Sequence, residues 1–149
     1  MHANNVFDVM GRFANMGVDT YSFMSALNGI LAQRLVRLVC ARCATPYEPP
    51  PELLQQSGIE QRAADGARFR KGQGCAHCRG TGYKGRRAVA EMLGMNDRLR
   101  DLMAERAPLS QIKAMARDSG FVSLRDSAVV AAMAGETTLE EINRVTPVE

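Results

Sequence analysis

The sequence contains no tryptophan, and aromatic residues make up only 5% of its 149 residues. Strand-rich folds draw heavily on aromatic and β-branched residues, so a β-sandwich is disfavoured. No run of about 18 apolar residues is present, which excludes a membrane-spanning helix of the usual length from this sequence. Nine methionines favour helices with adaptable packing. We therefore predict a mainly α fold that carries a small separate module.

The first ten residues, MHANNVFDVM, lack the basic start and the long apolar core of a signal peptide. We therefore expect a cytoplasmic chain, in which thiols stay reduced. The net charge of +3 is small, and a charge of this size does not by itself indicate nucleic-acid binding.

Apolar residues recur at helical spacing along most of the chain. The strongest such run predicts a helix over residues 20–38, with Asp19 as its N-cap. Thr138 and Glu141 form the sequence pattern of a capping box. The segment RRAVAEML instead alternates, and it predicts a short strand with Val89, Glu91 and Leu93 on one side. Further helices are predicted over residues 6–15, 97–106, 109–118, 124–134 and 139–145.

All four cysteines fall into two CxxC pairs, Cys40 with Cys43 and Cys75 with Cys78, separated by 31 residues. One tight turn of this kind supplies two thiolates, and two turns complete the tetrahedral shell that zinc prefers. A shell closed by four cysteines leaves no open position. The four residues therefore predict a structural zinc site.

Other interpretations of the cysteines stay open at this stage. They are four unrelated buried thiols, a redox dithiol, or a site in which His77 replaces one cysteine as ligand. We expect His77 to face solvent instead. The segment CAHCRGTG also resembles the zinc repeats of DnaJ-type chaperones, but over eight residues only, and the first pair lacks the glycines.

Residues 40–86 hold the cysteines in an irregular, basic segment with one short helix, PELLQQ, which we expect to stop near Gly58. Such a segment cannot bury much apolar surface by itself. We expect a bound metal to stabilise the folded segment.

Four longer stretches, in chain order, resemble the C-terminal part of type II secretion and type IV pilus assembly ATPases. They are HANNVFDVMGRFANMGVD, SALNGILAQRLVRLVCARCATPY, GCAHCRGTGYKGRRAVAEML and GETTLEEINRVT. The resemblance implies the C-terminal end of a RecA-like α/β ATPase. It further implies a cytoplasmic homo-hexamer, peripheral to the inner membrane, that hydrolyses ATP with Mg²⁺ and drives pilin or pseudopilin assembly through an inner-membrane platform.

The resemblance also assigns residues. His2 corresponds to the histidine near the nucleotide phosphates, and the four cysteines correspond to the zinc-binding subdomain. Gln33 and Arg34 match the AQRL segment, where they either contact nucleotide or fix a helix. The chain divides on this basis into residues 1–39 and 87–112 of the ATPase core, the zinc module 40–86, and a C-terminal helical subdomain 113–149.

The sequence departs from the family pattern at one essential point, because it contains no G-x-x-x-x-G-K-[ST] phosphate-binding loop. We therefore expect a fragment that does not hydrolyse ATP alone. Its first 38 residues should be poorly buried, with Phe7, Phe13 and Phe23 exposed. The alternative is an independent zinc module that binds nucleic acid or unfolded protein, and we do not expect nucleic acid as a partner.

Overall fold

The computed structural model describes residues 5–17 and 19–148. Helices and strands alternate irregularly along them, and a 3₁₀ turn spans Ala76–Cys78. The helices are α1 Val6–Asn15, α2 Thr20–Ala26, α3 Pro51–Gln56, α4 Gln61–Ala64, α5 Asp97–Ala104, α6 Leu109–Asp118, α7 Leu124–Met133 and α8 Leu139–Val145. The strands are β1 Gly29–Val39, β2 Ala44–Pro46, β3 Arg70–Gly72 and β4 Tyr83–Gly94.

The chain forms two compact units, each assembled from two separate stretches of sequence. The first unit comprises residues up to Gln33 together with Ala90–Ser123, and the second comprises Arg34–Val89 together with the residues from Leu124 onward. These groupings differ from the four ranges predicted above, whose assignment to parts of an ATPase stays a prediction. None of the helices in the described part is long and apolar enough to cross a membrane.

Strands β1 and β4 pair with each other and run through both units. The amide of Met95 donates to the carbonyl of Asn28 near one end, and the amide of Cys40 donates to the carbonyl of Gly82 at the other. The strands are therefore antiparallel.

The predicted helix over residues 20–38 is wrong beyond Ala26, because the chain turns there and continues as β1. Burial on β1 alternates as it does on a strand. Ile30 and Val36 are buried, whereas Leu31 and Leu35 are 63% and 52% exposed. The first helical turns were predicted correctly, since the Asp19 side chain accepts from the amide of Ser22.

The first unit has a core of its own. Val6, Phe7, Met10, Met24 and Ile30 are buried in it. The remaining members come from β4, α5 and α6, namely Leu93, Leu99, Met103, Ile112 and Ala116. The expected exposure of the N-terminal residues is therefore wrong for much of this segment.

Two of the three phenylalanines expected to be exposed instead contact each other. The rings of Phe13 and Phe23 stack with centroids 4.4 Å apart, and both side chains are partly buried. Phe7 meets Phe121 edge to face at 5.5 Å. These rings cover one another within the unit, so they expose less apolar surface than predicted.

The strand predicted from RRAVAEML is confirmed, because it lies within β4 and buries Val89, Glu91 and Leu93. A carboxylate buried on a strand requires a partner. The Glu91 carboxylate accepts from the amide of Val6 at 2.6 Å, at the first residue of α1. A negative charge is favoured at a helix N-terminus, so Glu91 anchors α1 to β4.

The second unit packs the cysteine-containing segment against α7 and α8. Leu54, Ile59 and Phe69 are buried there beside Val36 and Val89. The helices contribute Leu124, Ala128, Ala131, Ala132, Leu139 and Ile142. Residues 40–86 therefore do bury apolar side chains, but they do so in a core shared with the strands and with helices more than 50 positions later in the chain.

A buried arginine joins this segment to the end of the chain. Arg125 donates to the carbonyl of Ser57 at 2.6 Å, to the side chain of Asn143 at 2.7 Å and to the hydroxyl of Thr146 at 3.0 Å. Burial lowers its pKa below the usual value for arginine. Its hydrogen bonds run to neutral oxygens in two segments, the turn after α3 and the C-terminal end of α8, and they fix both segments to α7.

The C-terminal helices begin and end close to the predicted residues. Asn96 and Thr138 cap α5 and α8 through their side chains, and Gly120 and Gly135 adopt the positive φ expected just after a helix. The capping box is only half formed. Thr138 accepts from the amide of Glu141, but the Glu141 carboxylate bonds to two arginines instead.

Glu141 is the centre of a buried ionic network in the second unit. Its side chain is fully buried, and it accepts from the Arg37 guanidinium at 2.6 Å, the Arg37 amide at 3.0 Å and the Arg144 guanidinium at 2.8 Å. Burial acts to raise the pKa of Glu141, but the hydrogen bonds from Arg144 and Arg37 outweigh it and lower the pKa to about 2.

We predict that replacing Glu91 loosens α1. Glu91→Gln removes the charge at the helix N-terminus and should lower the free energy of unfolding by about 1 kcal/mol. Glu91→Val also removes the acceptor of the Val6 amide and should cost about 1–3 kcal/mol. Denaturant unfolding and amide exchange of residues 6–10 measure both effects. Glu105→Gln, at an exposed position of the same unit, is the control, and unchanged exchange in Glu91→Val would contradict the anchoring role.

We predict that Glu141→Gln lowers the free energy of unfolding by about 1–3 kcal/mol at neutral pH, because two guanidinium groups lose a buried anionic partner. The Glu141 pKa is lowered on folding, so its contribution is complete above pH 4.5 and is lost as the pH falls towards 2. The stability difference between the wild type and the variant should therefore shrink over that range.

The matched control is Glu140→Gln. Glu140 is the neighbouring residue, and it pairs with Lys71 at 3.1 Å with both side chains more than 40% exposed. Exposed pairs contribute little, so this variant should change stability by less than about 1 kcal/mol. Denaturant unfolding measures both variants. If they lose the same free energy of unfolding, the buried network contributes no more than the exposed pair.

Candidate metal centre

The four cysteine sulfurs lie together in the second unit, within 4.8 Å of one another. The Sγ atoms of Cys40 and Cys75 are 3.9 Å apart, those of Cys43 and Cys78 are 3.8 Å apart, and those of Cys75 and Cys78 are 3.7 Å apart. All four are free thiols. The two CxxC pairs therefore meet at one point, as the sequence predicts.

A short strand pair closes the 31-residue gap between the cysteine pairs. Strands β2 and β3 are antiparallel, with Ala44 opposite Gly72 and Pro46 opposite Arg70. The ladder continues to Cys43, whose carbonyl accepts from the amide of Gln73 at 3.0 Å. Because Cys43 immediately precedes β2 and Cys75 follows β3 by three residues, this register brings the second pair against the first.

Two glycines allow the backbone on either side of the second pair to approach itself closely. A Cβ atom added at Gly72 would lie 2.1 Å from the carbonyl oxygen of Gly82, and one added at Gly82 would lie 2.6 Å from that of Gly72. Gly82 also has a φ of +76°, which favours glycine. Larger residues at either position would push apart the ends of the loop that carries Cys75 and Cys78.

The backbone also prepares Cys78 to act as a thiolate. Its Sγ accepts from the amide of Cys75 at 3.1 Å and from that of Gly82 at 3.3 Å. Burial acts to raise the pKa of Cys78, but these amides outweigh it and lower the pKa to about 6. At Cys43, burial raises the pKa to about 11. Cys78 is therefore the readier of the two to lose its proton.

The sulfur positions fit a tetrahedral metal. A Zn–S bond of about 2.3 Å gives a separation of ~3.8 Å between tetrahedral ligands. Three of the six sulfur pairs, at 3.7–3.9 Å, agree with it, and every pair lies within 4.8 Å. Metal ligands are usually oriented by hydrogen bonds from neighbouring groups, and the amide donors to the Cys78 sulfur have this role here. The cluster can hold a metal ion, and a set of four thiolates would leave that ion no open position for a substrate.

His77 lies within the second pair, but its side chain is exposed, as predicted. Desolvation and then the charges of Arg42 and Lys84 lower its pKa below 6.5. His77 is not among the residues that form the cluster. The structure therefore favours four sulfur ligands over a set in which His77 replaces one of them.

The remaining predicted site residues lie elsewhere. His2 is outside the described residues. Gln33 and Arg34 lie on β1, where Gln33 is exposed and Arg34 is partly buried. Consecutive strand residues point to opposite faces, so the two side chains do not face a common ligand. Their proposed contact with nucleotide stays a prediction.

Phe69 and Tyr83 lie among the basic residues of this part of the sequence, but neither ring is available for stacking on nucleic-acid bases. Phe69 is buried in the core of the second unit. Tyr83 donates or accepts a hydrogen bond with the hydroxyl of Thr138 at 2.7 Å, and the Arg37 guanidinium covers its ring at 4.3 Å. Lys71 and Arg87, two basic residues of the second unit, pair with Glu140 and Glu136 respectively. These contacts favour a structural role for this part of the surface.

A family sequence model described as "Type II/IV secretion system protein" matches residues 1–144. The type IV pilus assembly ATPase PilB of Thermus thermophilus is 40% identical over 142 residues, which cover 95% of this chain and 16% of that protein. PilB of Pseudomonas aeruginosa is 36% identical over 146 residues, 98% of this chain and 26% of that protein.

Type II secretion system protein E of Xanthomonas campestris is 38% identical over 146 residues, again 98% of this chain and 26% of the relative. The chain therefore spans between about a sixth and a quarter of the length of these curated relatives. The matches extend over nearly all of it, so they include both cysteine pairs and the flanking helices and strands.

We predict about one zinc ion per chain, measured by elemental mass spectrometry. The double variant Cys75→Ser, Cys78→Ser should contain none, and amide exchange in residues 40–82 should rise because metal binding and folding of this segment are coupled. His77→Ala is the matched control within the same turn and should retain the metal. A folded wild-type chain without zinc would contradict the assignment.

Proposed function

The chain belongs to the family of type II/IV secretion system proteins, and on that basis we propose that it is the C-terminal part of a hexameric ATPase. In this proposal the complete protein couples ATP hydrolysis to assembly of pilin or pseudopilin subunits at the inner membrane, from its cytoplasmic side. The observation that carries the proposal is the match of residues 1–144 to the family. Relatives named as pilus assembly ATPases and as a secretion system protein match nearly the whole chain.

Within that function, the four-cysteine cluster supplies a structural zinc site. The S–S separations and the amide donors to Cys78 support this role. A closed site contributes folding free energy and no open coordination position. Zinc would therefore hold the end of β1, the β2–β3 pair and the start of β4 in register, rather than take part in ATP hydrolysis.

The nucleotide-related residues of the proposal are His2, Gln33 and Arg34. His2 would lie near the nucleotide phosphates, because the segment HANNVFDV resembles the histidine box of the family. Gln33 and Arg34 would contact nucleotide in this proposal; the alternative, that they fix a helix, does not apply because they lie on β1. The 149 residues contain no G-x-x-x-x-G-K-[ST] loop. The lysine and backbone amides that bind the phosphates of ATP, and the hydroxyl that binds Mg²⁺, are therefore missing from this sequence. We expect no ATP hydrolysis by this chain alone.

The test is a chimera in which this chain replaces the matching 26% of Pseudomonas aeruginosa PilB. A truncated PilB without that segment is the reference. We expect the chimera to hydrolyse ATP faster than the truncated protein, because the C-terminal part completes the ATPase. A His2→Ala chimera should lose most of that gain. A soluble, zinc-containing chimera with no more activity than the truncated protein would contradict the proposal.

The same replacement in Xanthomonas campestris type II secretion system protein E separates the two transport systems. Pilus assembly is scored in a Pseudomonas strain lacking PilB, and protein secretion is scored in a Xanthomonas strain lacking protein E. Function in one host and not in the other would assign the chain to that system. The Cys75→Ser, Cys78→Ser chimera should fail in both, because the zinc module would no longer fold.

A further inference from the structure

A cationic cavity lies beside the second cysteine pair, within the second unit. It is an open cleft with a volume of about 630 Å³. Arg37, Arg79, Tyr83, Lys84 and Arg86 are among the residues that line it. We call it the knuckle cavity, because its wall includes the turn that carries Cys78.

Three of these cations have no ion-pair partner among residues 5–17 and 19–148. Arg79, Lys84 and Arg86 form no ion pair with any residue in the described part of the chain, and none of the lining residues identified there is a carboxylate. Lys84 and Arg86 are two positions apart on β4, so they project from the same face of the strand. All three side chains are exposed, so an anion can reach them from solvent, and their like charges favour one between them.

The fourth cation, Arg37, belongs to the wall. Its guanidinium is bonded to Glu141 and stacked on the Tyr83 ring, and the Tyr83 hydroxyl is bonded to Thr138. These contacts hold the wall rigid without using the other three cations. An anion would therefore bind beside a wall that is already fixed. Binding would have to order only the side chains of Arg79, Lys84 and Arg86.

The backbone at Arg79 adopts a strained conformation, which Arg106 in the first unit also adopts. Arg79 has a φ of +55°, a left-handed conformation that glycine adopts freely and that costs other residues about 1 kcal/mol. The nearby positive-φ positions 80, 82 and 85 are all glycine. A glycine at 79 would relieve the strain and remove the charge.

The charge of a zinc site does not account for these cations. Four thiolates around Zn²⁺ carry a net charge of about −2. Arg42, Arg79, Lys84 and Arg86 together exceed it. Cys78 is buried, and its sulfur already receives two amide donors. A positive excess therefore remains at the knuckle cavity even with the metal bound.

We propose that the knuckle cavity binds a phosphate group, held by Arg79, Lys84 and Arg86. A phosphate presents several oxygens and up to two charges to these donors, whereas one carboxylate is filled by a single arginine fork. The phosphate belongs to a soluble phosphate compound or to a lipid headgroup, since both present the same group. This site goes beyond the proposed ATPase role, because that role assigns no ligand to these residues.

The test is a titration of the zinc-loaded 149-residue chain with inorganic phosphate at constant ionic strength, followed by amide NMR shifts. We expect saturable shifts at residues 77–86. Arg79→Gly and Arg86→Gln should each weaken binding by at least about tenfold, since each removes charge-assisted hydrogen bonds. Arg62→Gln, at an exposed position of the same unit, is the matched control and should bind like the wild type.

Arg86 lies on β4, outside the metal turn, so Arg86→Gln keeps the test valid if Arg79→Gly loses zinc. Cosedimentation with phosphatidylglycerol vesicles, against phosphatidylcholine vesicles, supplies the lipid arm. Saturation by inorganic phosphate assigns the site to soluble compounds, and variant-sensitive binding to phosphatidylglycerol vesicles alone assigns it to a headgroup. The absence of both, or equal binding by Arg86→Gln and Arg62→Gln, would overturn the proposal.

Discussion

The antiparallel pairing of β1 with β4 is the constraint on which the rest of the structure depends. Cys40 immediately follows β1, and its amide donates to the carbonyl of Gly82 just before β4. The first CxxC pair therefore starts where the second has just ended. The ladder sets this juxtaposition through backbone hydrogen bonds, before any metal is considered, and the β2–β3 pair completes it from the other side. A metal at the cluster would fasten an arrangement that the strands already favour.

Burial and metal binding divide the task of holding the second unit together. A segment with as few apolar residues as 40–86 cannot form a core alone, but Leu54, Ile59 and Phe69 share one with α7 and α8. Arg125 and Glu141 add polar connections over long sequence separations. The cysteine turns lie outside this hydrophobic cluster, and there the metal has the most to contribute. Packing thus stabilises the hydrophobic cluster of the unit, while a metal bound by the four thiolates would stabilise the cysteine turns.

The sequence predicts those features that depend on local signals. The cysteine spacing predicted the cluster, and the helical spacing of apolar residues predicted α5 to α8 within a few residues. The segment ILAQRLVRL was misinterpreted because its apolar residues satisfy both helical and alternating spacing, and only pairing with β4, about 50 residues later, decides between them. Glu141 was recognised as a cap partner, but its bonds to Arg37 could not be inferred, since nothing local links residues 104 positions apart. The left-handed Arg79 has no sequence signal at all.

Charge around the metal turn follows from the same geometry. Glu141 lies between Arg37 and Arg144, so the only buried carboxylate of this network is already committed to two cations. It cannot also neutralise Arg79, Lys84 or Arg86, and moving it would leave Arg37 without its anchor over Tyr83. Desolvated charges are stable only where partners are fixed, and here the fixed partners are all used within the wall. Arg79, Lys84 and Arg86, by contrast, are exposed on the open side of that wall, so solvent ions or a bound anion balance their charge.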